Sequence, residues 1–395
     1  MSRRTPLARR RTLLATLGTA AALALVPLGA SGAFASDGAD GGPDGHGAPG
    51  AVFVPLNGTT GNTIAAYTRH ADGTLTAAGR YATGGLGGTQ VGAPLDALAS
   101  QGSLVLDERD DVLLAVNAGS DSVTAFPVHG AALGTPRTAP SGGHFPTSIA
   151  VHGDLVYVLD AGGDGAVSGF RLMHGALVPI PGSTRSLGLG GSNPPVFIAS
   201  PGQIGFAADG HALVVTTKNH NELLSFPIDD AGLPAATPVA TPSAGPVPFS
   251  FVVDRHGRLQ VTEAGTGRTS TYTAARDGSL HLVGSSASDG GAALCWNVLA
   301  GRTLLGANAG SATLSAWAAP WFGPAVLTAP VAASTNAGPI DLAASHDGRF
   351  VYSQESVAGT VGAYAVSPGG TLTRIQTVSG LPAFTTTGME GIAAR

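Results

Sequence analysis

A single cysteine and a single lysine occur in 395 residues, only 11% of the side chains are charged, and 6% are aromatic. Cys295 has no partner, so no internal disulfide can staple the fold and an apolar core must carry it. The one lysine, Lys218, stands against nineteen arginines, which with the abundant alanine and glycine reads as the codon usage of a GC-rich genome. Several catalytic signatures are missing. There is no Gly-x-Ser-x-Gly elbow, no phosphate-binding loop and no His-Glu-x-x-His pair. The eleven histidines are scattered without metal-ligand spacing, so no metal and no cofactor is expected. Past residue 35, no apolar run is long enough to span a bilayer.

The first 35 residues read as an export leader. Arg3, Arg4, Arg9, Arg10 and Arg11 precede an apolar, alanine-rich stretch from Leu13 to Leu28, and Ala33-Phe34-Ala35 is a small-x-small cleavage signal before Ser36. Arg10-Arg11-Thr12-Leu13-Leu14 fits a twin-arginine signal, with an ordinary Sec signal as the alternative. Without a lipobox cysteine, a free secreted protein is expected. Cleavage removes five arginines and no acid, leaving 15 basic and 25 acidic residues, a net charge of −10. That balance argues against nucleic acid or an anionic membrane as a partner. Residues 36–50 are mostly glycine, aspartate and proline and read as a flexible tether. Residues 51–395 form the fold, long enough for a large core and a monomeric protein.

What is present is a repeat. A short apolar strand ends on a polar residue, a small turn follows, and a second strand closes on an aromatic: Tyr67, Phe126, Phe170, Phe226, Tyr272, Trp317 and Tyr364. The steps between them are 59, 44, 56, 46, 45 and 47 residues. A period near fifty residues is that of a four-stranded propeller blade. "HADGTL", "ARDGSL", "DDAGLP" and "SPGGTL" supply the hairpin turns. The fold class is therefore all-β, a seven-bladed β-propeller. Inner strands start near Pro146, Gly202, Pro248, Leu294 and Ile340, and none precedes Ala51. The tail from Glu390 to Ala394 is expected to complete the first blade and remove an open sheet edge.

Two sets of loops would then crowd one mouth of the channel. The first carries Asn57, Asn117, Asp160, Thr217-Lys218, Glu263, Asn308 and Glu355. The second brings His144, Gln203, Phe249, Trp296, Asp341 and Glu390. Together they predict a polar, mildly acidic funnel with aromatic walls that takes a small molecule. The asparagines, Asp160 included with them, also suit turn-capping; glutamate is a poor turn former, so Glu263 and Glu355 are the candidate acid/base groups. His144, Asp160, Gln203, Lys218, Trp296, Asp341 and Glu390 are the candidate ligand-binding residues.

The repeats "LDERDDVLLAVNAGSDSVTAFPV" (106–128), "FAADGHALVVTTKNHNELLSFPIDDAGL" (206–233) and "SHDGRFVYSQESVAGTVGAYAVSPGGTL" (345–372) resemble the seven-bladed lactonase family of bacterial 6-phosphogluconolactonase and the fungal carboxy-muconate cyclases. The resemblance spans the whole mature chain. It implies a lactonase or cyclase acting on a small, sugar-like or carboxylated lactone. In that family a mid-chain blade reads Pro-Arg-His into an inner strand, with Asn-Glu after the next strand. Here Pro201 matches the proline, but Gly202, Gln203, Thr217 and Lys218 stand at the other four positions. The alternative is a non-catalytic secreted module that binds a sugar, a peptide or an envelope component.

Overall fold

In the computed structural model, residues 50–367, 369–385 and 387–395 are described. The leader and all but the last residue of the tether lie outside them. Gly50, the last tether residue by sequence, is instead the buried first residue of strand Gly50–Pro55.

The strands form seven antiparallel sheets, five of four strands and two of five. Blade 1 takes Gly50–Pro55, Thr63–Arg69 and Leu75–Ala82 from the start of the fold and its innermost strand, Ala393–Ala394, from the end. Blades 2 to 7 follow in chain order, with inner strands Leu104–Asp107, Pro146–His152, Gln203–Ala207, Pro248–Val253, Leu294–Ala300 and Pro339–Ala344. The inner strand of blade 2, Leu104–Asp107, is not among the strand starts expected from the sequence. The aromatics do not end their strands as expected; one to three strand residues follow each of them.

Each second strand is buried on both faces. In Val112–Asn117 every residue is buried. Leu113 and Ala115 face blade 1, while Val112, Leu114 and Val116 face blade 3. Period-two alternation thus sends successive side chains into different seams, which is why these strands read as unbroken apolar runs. Seven apolar clusters fill the seven seams, and each holds one repeat aromatic. Phe126 packs between blades 1 and 2, Phe170 between 2 and 3, and so on to Tyr67 between 7 and 1. All seven are at most 6% exposed.

The tail closes the ring as the sequence predicts, although the regular pairing is only Val52 with Ala394 and Phe53 with Ala393. Around it, Ala51 and Arg395 exchange backbone hydrogen bonds of 3.2 and 2.9 Å. The Glu390 amide donates to Pro55 O at 3.1 Å. Arg69 Nε donates to Arg395 O at 2.8 Å, Gln354 Nε2 to Gly391 O at 3.1 Å, and Arg395 pairs with Asp111.

Two outcomes follow. Deleting residues 389–395 should lower the thermal midpoint sharply; an unchanged midpoint would refute this closure. Phe226→Ala, at a fully buried seam position, should cost about 3–5 kcal/mol in chemical denaturation.

Candidate functional site

The seven polar residues that end the second strands do not line an open funnel. Asn57, Asn117, Asp160, Lys218, Glu263, Asn308 and Glu355 are all 0–2% exposed. Loop backbone folds closely over several of them. At Gly85 and Gly291 the loop backbone lies so close that an added Cβ would sit 2.4 Å from the side chains of Asn117 and Asn308. Only glycine permits that approach.

Most of these groups are satisfied where they lie. Asn57 exchanges side-chain hydrogen bonds with the Gly88 backbone, at 2.9 and 3.0 Å. Asn117 Oδ1 accepts from Thr83 Oγ1 at 2.6 Å, and its Nδ2 donates to Thr124 Oγ1 at 2.9 Å. Asn308 Nδ2 donates to Ser315 Oγ at 2.8 Å. The Ser243 hydroxyl lies 2.9 and 2.7 Å from the two oxygens of Glu263. Glu355 accepts from Thr360 Oγ1 at 2.6 Å, from Tyr364 OH at 3.2 Å and from Arg374 at 3.3 Å. Asp160 alone makes no hydrogen bond of normal geometry on either oxygen, with the Ser141 side chain nearby. Glu263 and Glu355 thus have separate local partners and do not form one catalytic pair.

Between blades 1 and 2, the longest step of the repeat holds a segment that crosses the mouth. Residues 96–101 are all buried. Asp96 shapes this plug by accepting the amides of Leu98, Ala99 and Ser100, at 2.9, 2.8 and 3.2 Å. Its anchors come from most of the ring. Ser100 Oγ donates to Thr147 O of blade 3 at 2.8 Å, and the Gln101 amide to Gly202 O beside blade 4 at 3.1 Å. Gln101 makes a two-way clasp with the Asn297 backbone of blade 6, at 3.0 and 2.9 Å. Trp296 Nε1 donates to Ser100 O at 2.8 Å. Ser356 Oγ of blade 7 donates to Leu95 O at 2.6 Å. On the closing tail, Glu390 Oε1 accepts from the Leu98 amide at 3.1 Å.

Lys218 is one of these anchors. Its ammonium donates to Ala99 O and Ser200 Oγ, both at 2.8 Å, and lies 5.6 Å over the Phe249 ring. Gln203 is a clasp as well: its Oε1 accepts from the Phe251 amide at 2.7 Å and its Nε2 donates to Phe251 O at 3.0 Å. These side chains hold blade to blade and blade to plug.

The structure therefore gathers some of the sequence-predicted residues and leaves others apart. Lys218, Trp296, Asp341 and Glu390 meet around the plug, with Asp96 and Cys295 as members that sequence reasoning missed. Asp96 and Glu390 share a hydrogen bond, and burial pushes both carboxyls up, Glu390 well above its ordinary range. The pair therefore holds a proton and faces the one ammonium with at most one charge. Burial also moves Lys218 down to about 7, Asp341 up to about 7 and the Cys295 thiol up to about 12. Cys295 is thus a neutral thiol, not a nucleophile.

His144 sits apart, on the rim, with its side chain 66% exposed. Its Nδ1 lies 2.8 Å from Asp121 Oδ2, and this hydrogen bond raises its pKa. Asp121 belongs to a device repeated in alternate blades. Its Oδ1 accepts the Phe145 amide at 2.8 Å, as Asn221 Oδ1 accepts the Val247 amide at 2.9 Å. The carbonyls of Asp121, Asn221 and Ala312 accept the amides of Ser141, Ser243 and Thr335 at 2.8–2.9 Å. All three residues have φ between +50° and +57°. His144 is thus added to a structural clasp.

Clefts among the described residues lie at this end. One of about 280 Å³ is lined by Gly163, Gly190, Gly191, Ser192, Val196 and Ser200 among others. One of about 110 Å³ is lined by Leu95, Asp96, Ala99, Phe249, Cys295 and Trp296 among others. Among the described residues, no three His, Cys, Asp or Glu side chains gather to hold a metal ion. No helix among them is long and apolar enough to cross a membrane.

No protein-family model matches the chain, and no curated protein matches it. Solved structures do share the fold. A candidate 6-phosphogluconolactonase from Bacteroides uniformis aligns with a TM-score of 0.68 at 17% identity, over 88% of this chain and 100% of its own. A Lactobacillus plantarum protein gives 0.67 at 18%, over 88% and 99%. The periplasmic gluconolactonase of Pseudomonas aeruginosa gives 0.61 at 17%, over 86% and 98%. The likeness to lactonase propellers expected from the repeats thus holds at the level of the fold.

The buried carboxyls set a pH dependence. Burial raises Asp160, Glu263 and Asp341 to about 7, whereas in an unfolded chain they titrate near 4. Between those values the folded state holds protons that the unfolded state has released. Stability therefore falls as pH rises from about 4.5 to 7. Lys218 acts oppositely above 7, because the folded state sheds its proton first. Calorimetry should give a higher midpoint at pH 5 than at pH 7.5, with a smaller difference in Glu263→Gln. A midpoint that climbs over this interval would contradict the assignment.

Proposed function

We propose that this chain is an exported ligand-binding propeller built on the lactonase scaffold, one that does not use the proton-transfer centre of that family. The plug carries this reading. Residues 96–101 fill the mouth of the channel, and the positions where the family's histidine and glutamate would act hold Gln203 and Lys218, both engaged in backbone clasps. A general base must reach the proton that it removes. Glu263 and Glu355, the acid/base candidates, are fully buried. The ligand would be a small, hydrophilic, sugar-like molecule or a cell-envelope component held at the rim.

A second reading, hydrolysis of a small lactone, is favoured by one feature. His144 projects its Nε2 from the rim with Nδ1 held by Asp121, in the arrangement of an oriented general base. The Gly162 amide donates to His144 O and the Gly163 amide to Ser192 O, at 2.8 and 2.9 Å, which brings the Gly190–Ser192 stretch close to this histidine. The relatives by fold include a gluconolactonase and a candidate 6-phosphogluconolactonase.

A panel of gluconolactone, 6-phosphogluconolactone and an aromatic lactone separates the two. We expect hydrolysis no faster than in buffer. Turnover that disappears in His144→Ala, while the thermal midpoint stays put, would replace the binding reading with the hydrolytic one.

A further inference from the structure

The end of the ring opposite the mouth, where the hairpin turns lie, carries the most exposed aromatic pair among the described residues. Trp321 is 68% exposed and Phe322 is 82% exposed, in the segment Pro320-Trp321-Phe322-Gly323-Pro324 of blade 6. Neither ring serves the core. Burying an aromatic is a large source of stability, so two left in water on one turn mark an interaction site.

The turn is also held rigidly. Arg258, on blade 5, is only 6% exposed and donates to Pro320 O at 2.5 Å and Gly323 O at 2.9 Å. Its guanidinium is fixed in turn by Asp254, at 3.0 and 2.8 Å, and Asp254 also accepts Gln260 Nε2 at 2.8 Å. The Ala325 amide donates to Thr271 Oγ1 at 3.0 Å, pinning the far side of the turn to blade 5. The His256 ring meets the Trp321 indole edge-on at 4.4 Å, and Phe322 stands at 76° to that indole, 6.5 Å away. A buried ion pair thus spends its donors on presenting two aromatics in fixed positions. Such preorganisation lowers the entropy lost on binding.

We propose that Trp321 and Phe322 form a docking point for a pyranose-bearing polysaccharide, separate from the mouth. A pyranose has an apolar C–H face that rests on an indole and a rim of hydroxyls that need polar partners. Both are here: an open aromatic corner, with the exposed Arg255 guanidinium beside it. The two rings by themselves are too small for a stable interface with a protein partner or a second copy. Two aromatic side chains offer roughly 150–250 Å² each, against about 800 Å² per side of a stable interface. The chain's net charge of −5 disfavours an anionic bilayer.

The test is retention of the full-length secreted protein on insoluble cellulose, chitin and peptidoglycan sacculi, and its retardation in gels containing soluble glucan or xylan. At least one polysaccharide should retain it. Trp321→Ala and Phe322→Ala should each weaken that retention about tenfold, with Trp321→Tyr retaining part of it and the thermal midpoint unchanged. Three results would overturn the proposal: no retention on any polysaccharide, retention that survives both alanine variants, or loss in those variants of binding to phosphatidylglycerol vesicles or of self-association instead. His144→Ala should leave retention intact, which keeps this site distinct from the rim.

Discussion

A ring of seven sheets has no free face, and that requirement organises the molecule. Each blade can bury its second strand only if a neighbour stands on either side. The period-two alternation that sends Leu113 into one seam and Leu114 into the next therefore demands a closed circle. One repeat aromatic adds bulk to each seam. No disulfide joins the ends, so the last seam depends on a short tail pairing with Val52 and Phe53.

The same tail reaches the mouth. Glu390 ties it both to Pro55 of the first strand and to the Leu98 amide of the plug. Closure of the ring and closure of the channel are therefore one polar network, to which Asp96 and Lys218 add a buried, nearly neutral charge set. Interior charges are tolerated when paired and bonded in this way. The chemical consequence is that groups which resemble catalytic residues in type are spent on holding elements together. Lys218 and Gln203 stand where the lactonase family carries proton-transfer groups, and both make backbone clasps.

Much of the fold was legible because repetition is a strong signal. The aromatics gave the number of blades, and the tail motif gave the closure. The site was far less legible. The sequence shows that every blade offers a polar residue at one place, but not whether a loop covers it. Gly85 and Gly291, which let loops close over Asn117 and Asn308, read only as turn residues. The plug had a visible trace, the 59-residue step from Tyr67 to Phe126, yet length alone does not tell where the added chain goes. Asp96 was missed because its partners, Glu390 and Lys218, are distant in sequence. The Trp321–Phe322 turn was missed because Trp317, the blade aromatic, lies just before it and explains only its own place.

The central claim is that residues 96–101 are part of the folded core and not a lid. Amide hydrogen exchange measures this directly, since a core segment opens only with global unfolding, whereas a lid opens locally. Peptides covering 96–101 should exchange as slowly as the closing tail at 389–395 and the second strands. Exchange within seconds, as fast as the exposed hairpin turns, would show that the mouth opens freely and would return the channel to consideration as an active site.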